Sequence, residues 1–188
     1  DQAEHHYQQA LRINPEFAIA HYNYANFLNA RGYKGRARYH YETALRIDPD
    51  YPDAHNNYGV FLEELGERDS AEQHYQAALR LDPGYAEAHN NYANLLTKQG
   101  DSSKAEHHFR EALRISPNLA DAHNNYAVFL QERGYWESAE QHYQEALRIN
   151  SDYAAAHNNY AVLLENRGDW HGAEQHYREA LRIRQETL

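Results

Sequence analysis

Ala54-His55-Asn56-Asn57-Tyr58 returns almost unaltered at Ala88-His89-Asn90-Asn91-Tyr92, Ala122-His123-Asn124-Asn125-Tyr126 and Ala156-His157-Asn158-Asn159-Tyr160, with a looser copy at Ala20-His21-Tyr22-Asn23-Tyr24. The copies stand 34 residues apart. A fixed period of about 20–50 residues marks stacked repeats, each touching mainly its neighbours, in place of one compact core. The rest of the chain falls into the same register.

Downstream of each copy lies a second apolar pattern with helical spacing. It runs Ala37, Tyr41, Ala44, Leu45, Ile47 and Pro49, then Ala71, Tyr75, Ala78, Leu79, Leu81 and Pro83, then Ala105, Phe109, Ala112, Leu113, Ile115 and Pro117. Ala3, Tyr7, Ala10, Leu11, Ile13 and Pro15 repeat it at the start. Each proline, usually beside Asn or Asp, ends a helix. The quoted stretch itself begins a helix whose apolar residues Ala54, Tyr58, Phe61, Leu62 and Leu65 form one stripe. Gly32, Gly66, Gly100, Gly134 and Gly168 follow these first helices and suit the left-handed residue of a helix C-terminus. A turn of about four residues then makes an antiparallel helical hairpin. The expected organisation is a single array over 1–188: a half unit 1–17 and full units 18–51, 52–85, 86–119, 120–153 and 154–187. Ser151 stands in place of a proline, and Gln185 leaves the last helix free to run on. The chain opens at Asp1 partway into a unit, as a piece of a longer protein would.

The unit resembles the tetratricopeptide repeat, a 34-residue helix–turn–helix with the pattern W-x2-L-G-x2-Y, A-x3-F and P. In 52–85 the matching residues are Gly59, Ala71, Tyr75 in the Phe place, Ala78 and Pro83, with Ala25, Ala93, Ala127 and Ala161 at the small position of the other units. His stands where the pattern has Trp, and Tyr where it has Leu. The resemblance spans the whole chain. It implies an all-α fold, a right-handed α-solenoid whose first helices line a concave ligand groove.

Composition narrows the function classes. The 28 acidic residues outnumber 18 basic ones, giving a formal charge of −10, which disfavours nucleic acid as a partner. No run is long and apolar enough for a membrane span, and no lipidation or leader pattern occurs. With no cysteine there is neither a disulfide framework nor a thiolate metal site, which fits the cytoplasm and leaves an oxidising compartment open. Phosphate loops, nucleophilic cysteines and Ser–His–Asp sets outside the repeat pattern are lacking, so neither catalysis nor a cofactor is expected.

At 100° per residue, the stripe opposite the core in 52–65 is Asp53, Asn57, Val60 and Glu64, flanked by Asn56 and Glu63. One amide recurs in all five stripes: Asn23, Asn57, Asn91, Asn125 and Asn159. An amide donates and accepts, so it can bond a ligand's backbone without reading its side chains. First helices about 8–10 Å apart would meet about every third residue of an extended peptide. This ladder resembles that in the superhelical repeats of O-linked N-acetylglucosamine transferase. The candidate peptide-binding set is the ladder, the flanking Asn56, Asn90 and Asn124, and the acids Asp53, Glu87 and Asp121. The other reading is that the amides bond a neighbouring helix or water.

Asp53, Glu64, Glu87, Asp121 and Glu132 against Lys98 make the central stripes acidic, five to one, which points to ligands with central basic residues or to a merely solvated face. A clamp for acidic tails would need basic groove residues, where Tyr22, Asn56, Glu87 and Asn91 stand. A second class of function is end-to-end self-assembly into a homo-oligomer through a terminal apolar face of Ala173, Tyr177, Ala180 and Leu181. A third is the substrate-selecting arm of a larger enzyme. The 14 histidines fall mainly in two series, His21 to His157 and His6 to His176. No pair lies at i, i+4 on one helix, so no metal site is expected, and the choice is between a pH response and hydrogen-bonded packing. The tyrosines lie on core stripes, and Trp136 and Trp170 read as packing residues.

Overall fold

The computed structural model describes residues 2–186. Every regular element among them is helical: α1 (Gln2–Ile13), α2 (Ala18–Ala30), α3 (Lys34–Ile47), α4 (Pro52–Glu64), α5 (Arg68–Leu81), α6 (Ala86–Gln99), α7 (Ser102–Ile115), α8 (Ala120–Glu132), α9 (Trp136–Ile149), α10 (Ala154–Asn166) and α11 (Trp170–Glu186). The fold is an all-α solenoid of helical hairpins. By its contacts the chain forms two compact units, residues 1–95 and 96–188, divided within α6.

Local chemistry makes each hairpin. Gly32, Gly66, Gly100, Gly134 and Gly168 have φ between 79° and 85°, where a Cβ is strained. At the end of α2 the Tyr33 N–H bonds the Leu28 carbonyl and the Gly32 N–H bonds that of Asn29, both at 2.9 Å. These two bonds close a Schellman cap, and Glu67 with Gly66 closes α4 in the same way. At the ends of the second helices, Asn14, Asp48, Asp82 and Asn150 accept from the N–H two residues on, forming the Asx turns that reverse the chain.

In the unit 1–95, α2 packs on α3 and α4 on α5, with α1 against α2, α3 against α4 and α2 against α4. Ala25, Ala37, Ala44, Ala54, Ala71 and Ala78 are fully buried where helices approach closely. Second-helix aromatics pack on the next first helix: Tyr7 stacks on Tyr24 and Tyr41 on Tyr58, centroids 5.3 Å apart in both, while Tyr75 meets Tyr92 tilted at 6.1 Å. Such pairs contribute about 0.5–1.5 kcal/mol beyond burial. The hydroxyls of Tyr24 and Tyr58 donate to Glu4 and Glu42 on the preceding second helix, both at 2.9 Å.

The unit 96–188 repeats this scheme, with Phe109 on Tyr126 at 5.4 Å and Tyr143 on Tyr160 at 5.8 Å. Ile13, expected on the α1 core face, is almost wholly exposed, and Trp170 stands mostly in solvent, not in packing.

Candidate functional site

The candidate site is built on the face of the first helices turned away from the second. Asn23, Asn57, Asn91, Asn125 and Asn159 occupy equivalent places there and are all partly exposed. Asn56, Asn90 and Asn124 correct the sequence expectation. Set there on the ligand-facing surface, they are buried, Asn56 only 3% exposed. Their amides hold the ladder. Asn56 Nδ2 donates to Asn57 Oδ1 at 3.1 Å, Asn90 Nδ2 to Asn91 Oδ1 at 3.5 Å and Asn124 Nδ2 to Asn125 Oδ1 at 3.2 Å. The ladder amides donate in turn to the buried amide of the preceding repeat, Asn91 to Asn56 at 3.1 Å and Asn159 to Asn124 at 3.0 Å, while Asn57 donates to the Tyr22 hydroxyl at 2.7 Å. The expected choice between ligand capture and helix-to-helix bonding is therefore not exclusive. A carboxamide has two N–H groups and two lone pairs on its oxygen, and this relay occupies one donor and one acceptor of Asn91.

The acids of the stripe have partners that one helix could not reveal. Tyr85 donates to Asp53 Oδ1 at 2.7 Å, and Tyr153 bonds Asp121. Burial first, then the bonded carboxylate, pushes both phenols above the ordinary tyrosine range, so they stay protonated donors. Glu64 is paired with Lys34. Glu87 is exposed on the same face.

Between α2 and α4 lies a recess of about 260 Å³ lined by Asn26, Asn29, Ala30, Tyr41, Asn57 and Val60. Of these Asn57 belongs to the candidate binding set, and Asn26, Ala30 and Val60 lie on the same groove-facing stripes of the sequence, which leaves Asn29 and Tyr41 outside them. The signal for the recess was the departure of Asn29 and Ala30 from Glu63 and Glu64, 34 residues on.

The two histidine series meet across four of the hairpins, 19 residues apart. Nδ1 faces Nδ1 in His21–His40 at 2.8 Å, His55–His74 at 2.9 Å, His123–His142 at 2.8 Å and His157–His176 at 2.8 Å. The first-helix ring also meets a backbone carbonyl through Nε2, as His21 does Pro15 O at 3.0 Å. A carbonyl accepts only, so that Nε2 carries hydrogen. In the neutral pair the first-helix Nδ1 is then the acceptor and the second-helix Nδ1 the donor. Burial, then the facing imidazole, depresses His40, His74 and His142 to about 4. No group of three or more metal-ligating side chains occurs among the described residues.

The terminal face also differs from expectation. Ala173 and Ala180 are each 3% exposed, covered by α10, the element against which α11 packs. The Tyr177 hydroxyl bonds Glu165 at 2.8 Å. Tyr177 is partly exposed and Leu181 57% exposed, so this face presents those two side chains and not the two alanines. No helix among the described residues is long and apolar enough to cross a membrane.

Sequence profiles of the tetratricopeptide repeat match residues 50–118 and 118–186, and a further repeat profile matches 26–66. The chain belongs to the tetratricopeptide repeat family. No curated protein matches it. Among solved structures, it is similar to pilF of Pseudomonas aeruginosa, with 24% identity over 88% of this chain and 76% of that one and a TM-score of 0.79. PilW, a type IV pilus biogenesis factor, shares 23% identity over 93% and 81% of the two chains, at a TM-score of 0.82. YrrB, described as having an unusual peptide-binding site, shares 21% over 94% and 91%, at 0.65. These likenesses establish the fold.

Proposed function

We propose that the chain is a non-catalytic binding scaffold that captures an extended protein segment along the asparagine face of its first helices. One observation carries the reading. A row of amides recurring every 34 residues is partly exposed, and buried amides fix its orientation through hydrogen bonds. Preorganisation removes part of the ordering cost of binding. Each captured backbone group adds about 0.5–1.5 kcal/mol net, so the ladder gives moderate affinity and leaves selection to its flanks. Asp53, Glu87 and Asp121 favour basic residues near the middle of the segment.

The test is a peptide array probed with the intact chain, followed by side-chain amide NMR of a binding peptide. The expected result is that the ladder NH2 resonances of Asn57, Asn91, Asn125 and Asn159 move together. Binding that moves only resonances elsewhere overturns the reading.

A further inference from the structure

We propose that the recess between α2 and α4 is a side-chain subsite that selects a carboxamide, Gln or Asn, from the captured segment. This rests on the groove reading and adds a residue preference to it.

The recess exists because two side chains are short. In the following repeat, Tyr75 donates its hydroxyl to Glu63 Oε2 at 2.7 Å, and Tyr143 and Tyr177 likewise donate to Gln131 at 3.0 Å and Glu165 at 2.8 Å. A long side chain thus reaches the phenol from the first helix. The equivalent of Glu63 is Asn29, one methylene shorter, and its oxygen is held by Lys34 Nζ at 2.6 Å. Tyr41 turns instead to Asn26 Oδ1 at 2.6 Å. Ala30 stops at Cβ where Glu64 carries a carboxylate. The volume thus left open is about 260 Å³, enough for one large side chain.

The existing hydrogen bonds decide what the walls offer. The Asn26 oxygen accepts from Tyr41 and Asn57 and its amide bonds Tyr22, while Asn29, whose oxygen accepts from Lys34, presents its NH2 group as donor. Asn57 has its nitrogen on Tyr22 and keeps a second lone pair on the oxygen that Asn56 also bonds. The Tyr41 oxygen is a further acceptor. Donors and acceptors therefore stand together, and none of the six lining side chains is charged. A carboxamide satisfies both kinds at once, with its methylenes against Ala30 and Val60. An aliphatic group would strand these polar groups, and the nearest charges, Lys34 and Glu64, are already paired with each other and leave a carboxylate or ammonium no free counter-charge.

The probe is a set of fluorescein-labelled nine-residue peptides of Ala and Ser with one Lys, carrying Gln, Leu or Glu at one varied position that is moved along the set. Anisotropy is read with the intact chain, with Ala30→Glu, which refills the recess, and with Asn91→Ala, which removes the next rung of the ladder, one that does not line the recess. On the intact chain the best Gln peptide should bind about tenfold tighter than its Leu and Glu counterparts, the worth of one or two net hydrogen bonds. Ala30→Glu should abolish that preference, whereas Asn91→Ala should weaken all three peptides equally and leave it intact. Peptides that bind without preferring Gln, or a preference that survives Ala30→Glu, overturn the subsite alone. If no peptide binds, or Asn91→Ala changes nothing, the groove reading fails and the subsite falls with it.

Discussion

Lowering the pH from 7 to 4.5 should destabilise the fold through its histidine bridges. A second-helix imidazole donates through Nδ1 to a first-helix ring whose own Nε2–H is held by a carbonyl. Each pair can therefore accept one proton and keep its bridge, whereas two would set N–H against N–H. His40 also faces the Arg36 charge, which opposes protonation further, while Glu145 near His142 and Glu179 near His176 act in the opposite sense. A base whose pKa is depressed by folding is protonated first in the unfolded chain. Its stabilisation is thus complete above about 6.5 and declines as pH falls towards the folded value. For His40, His74 and His142 that value is about 4. Fully shielded rings would lose about 3 kcal/mol each over this interval. These are half-buried, so solvent screening reduces the figure to about 1 kcal/mol each, or about 3 kcal/mol for the three. The assay is urea unfolding followed by helix circular dichroism at steps from pH 8 to 4.5, on the natural chain and on His40→Asn, His74→Asn, His142→Asn combined. The Asn amide offers a non-titrating donor in place of Nδ1–H, so the triple variant should lose most of the slope. A flat natural profile, or an equal slope in both proteins, refutes the reasoning.

Three substitutions probe other parts of the fold. Gly66→Ala meets no atom within 4 Å, yet φ is +81°, so thermal unfolding should show a loss of about 1 kcal/mol from backbone strain alone. Gly59→Ala would put a Cβ 2.8 Å from the Tyr75 ring. Overpacking of about 1–3 kcal/mol should outweigh the helix-propensity gain of about 1 kcal/mol, and a raised melting temperature would contradict that ranking. Asn56→Ala strips a partner from both Asn57 and Asn91 and should cost about 1–3 kcal/mol in urea unfolding, more than Asn57→Ala at the partly exposed rung.

The helices were legible because apolar spacing, proline breaks and hairpin glycines act within a few residues along the chain. Gly66, at the end of the apolar stripe of α4, marks its own left-handed position by residue type alone. Pairings across helices were not legible. His21 and His40 sit 19 residues apart on different helices, and spacing along either gives no sign that their Nδ1 atoms meet. Likewise Asp53 and Tyr85 lie 32 residues apart. The helical wheel put Asn56 beside Asn57 at a rim, but a wheel carries no information about the neighbouring helix whose amide buries it. Ala173 and Ala180 were misjudged for the same reason, since the face that α10 covers cannot be told from an uncovered one by spacing on α11 alone.

Backbone capture by the ladder is tested most directly by changing Asn57, Asn91 and Asn125 together to Ala and measuring binding of a diverse peptide set beside the natural chain. Helicity and melting temperature are followed first, so that loss of the amide relay is separated from loss of the fold. The account predicts that all binding peptides weaken by a similar factor whatever their side chains. Unchanged binding, or weakening confined to particular peptide sequences, would contradict it.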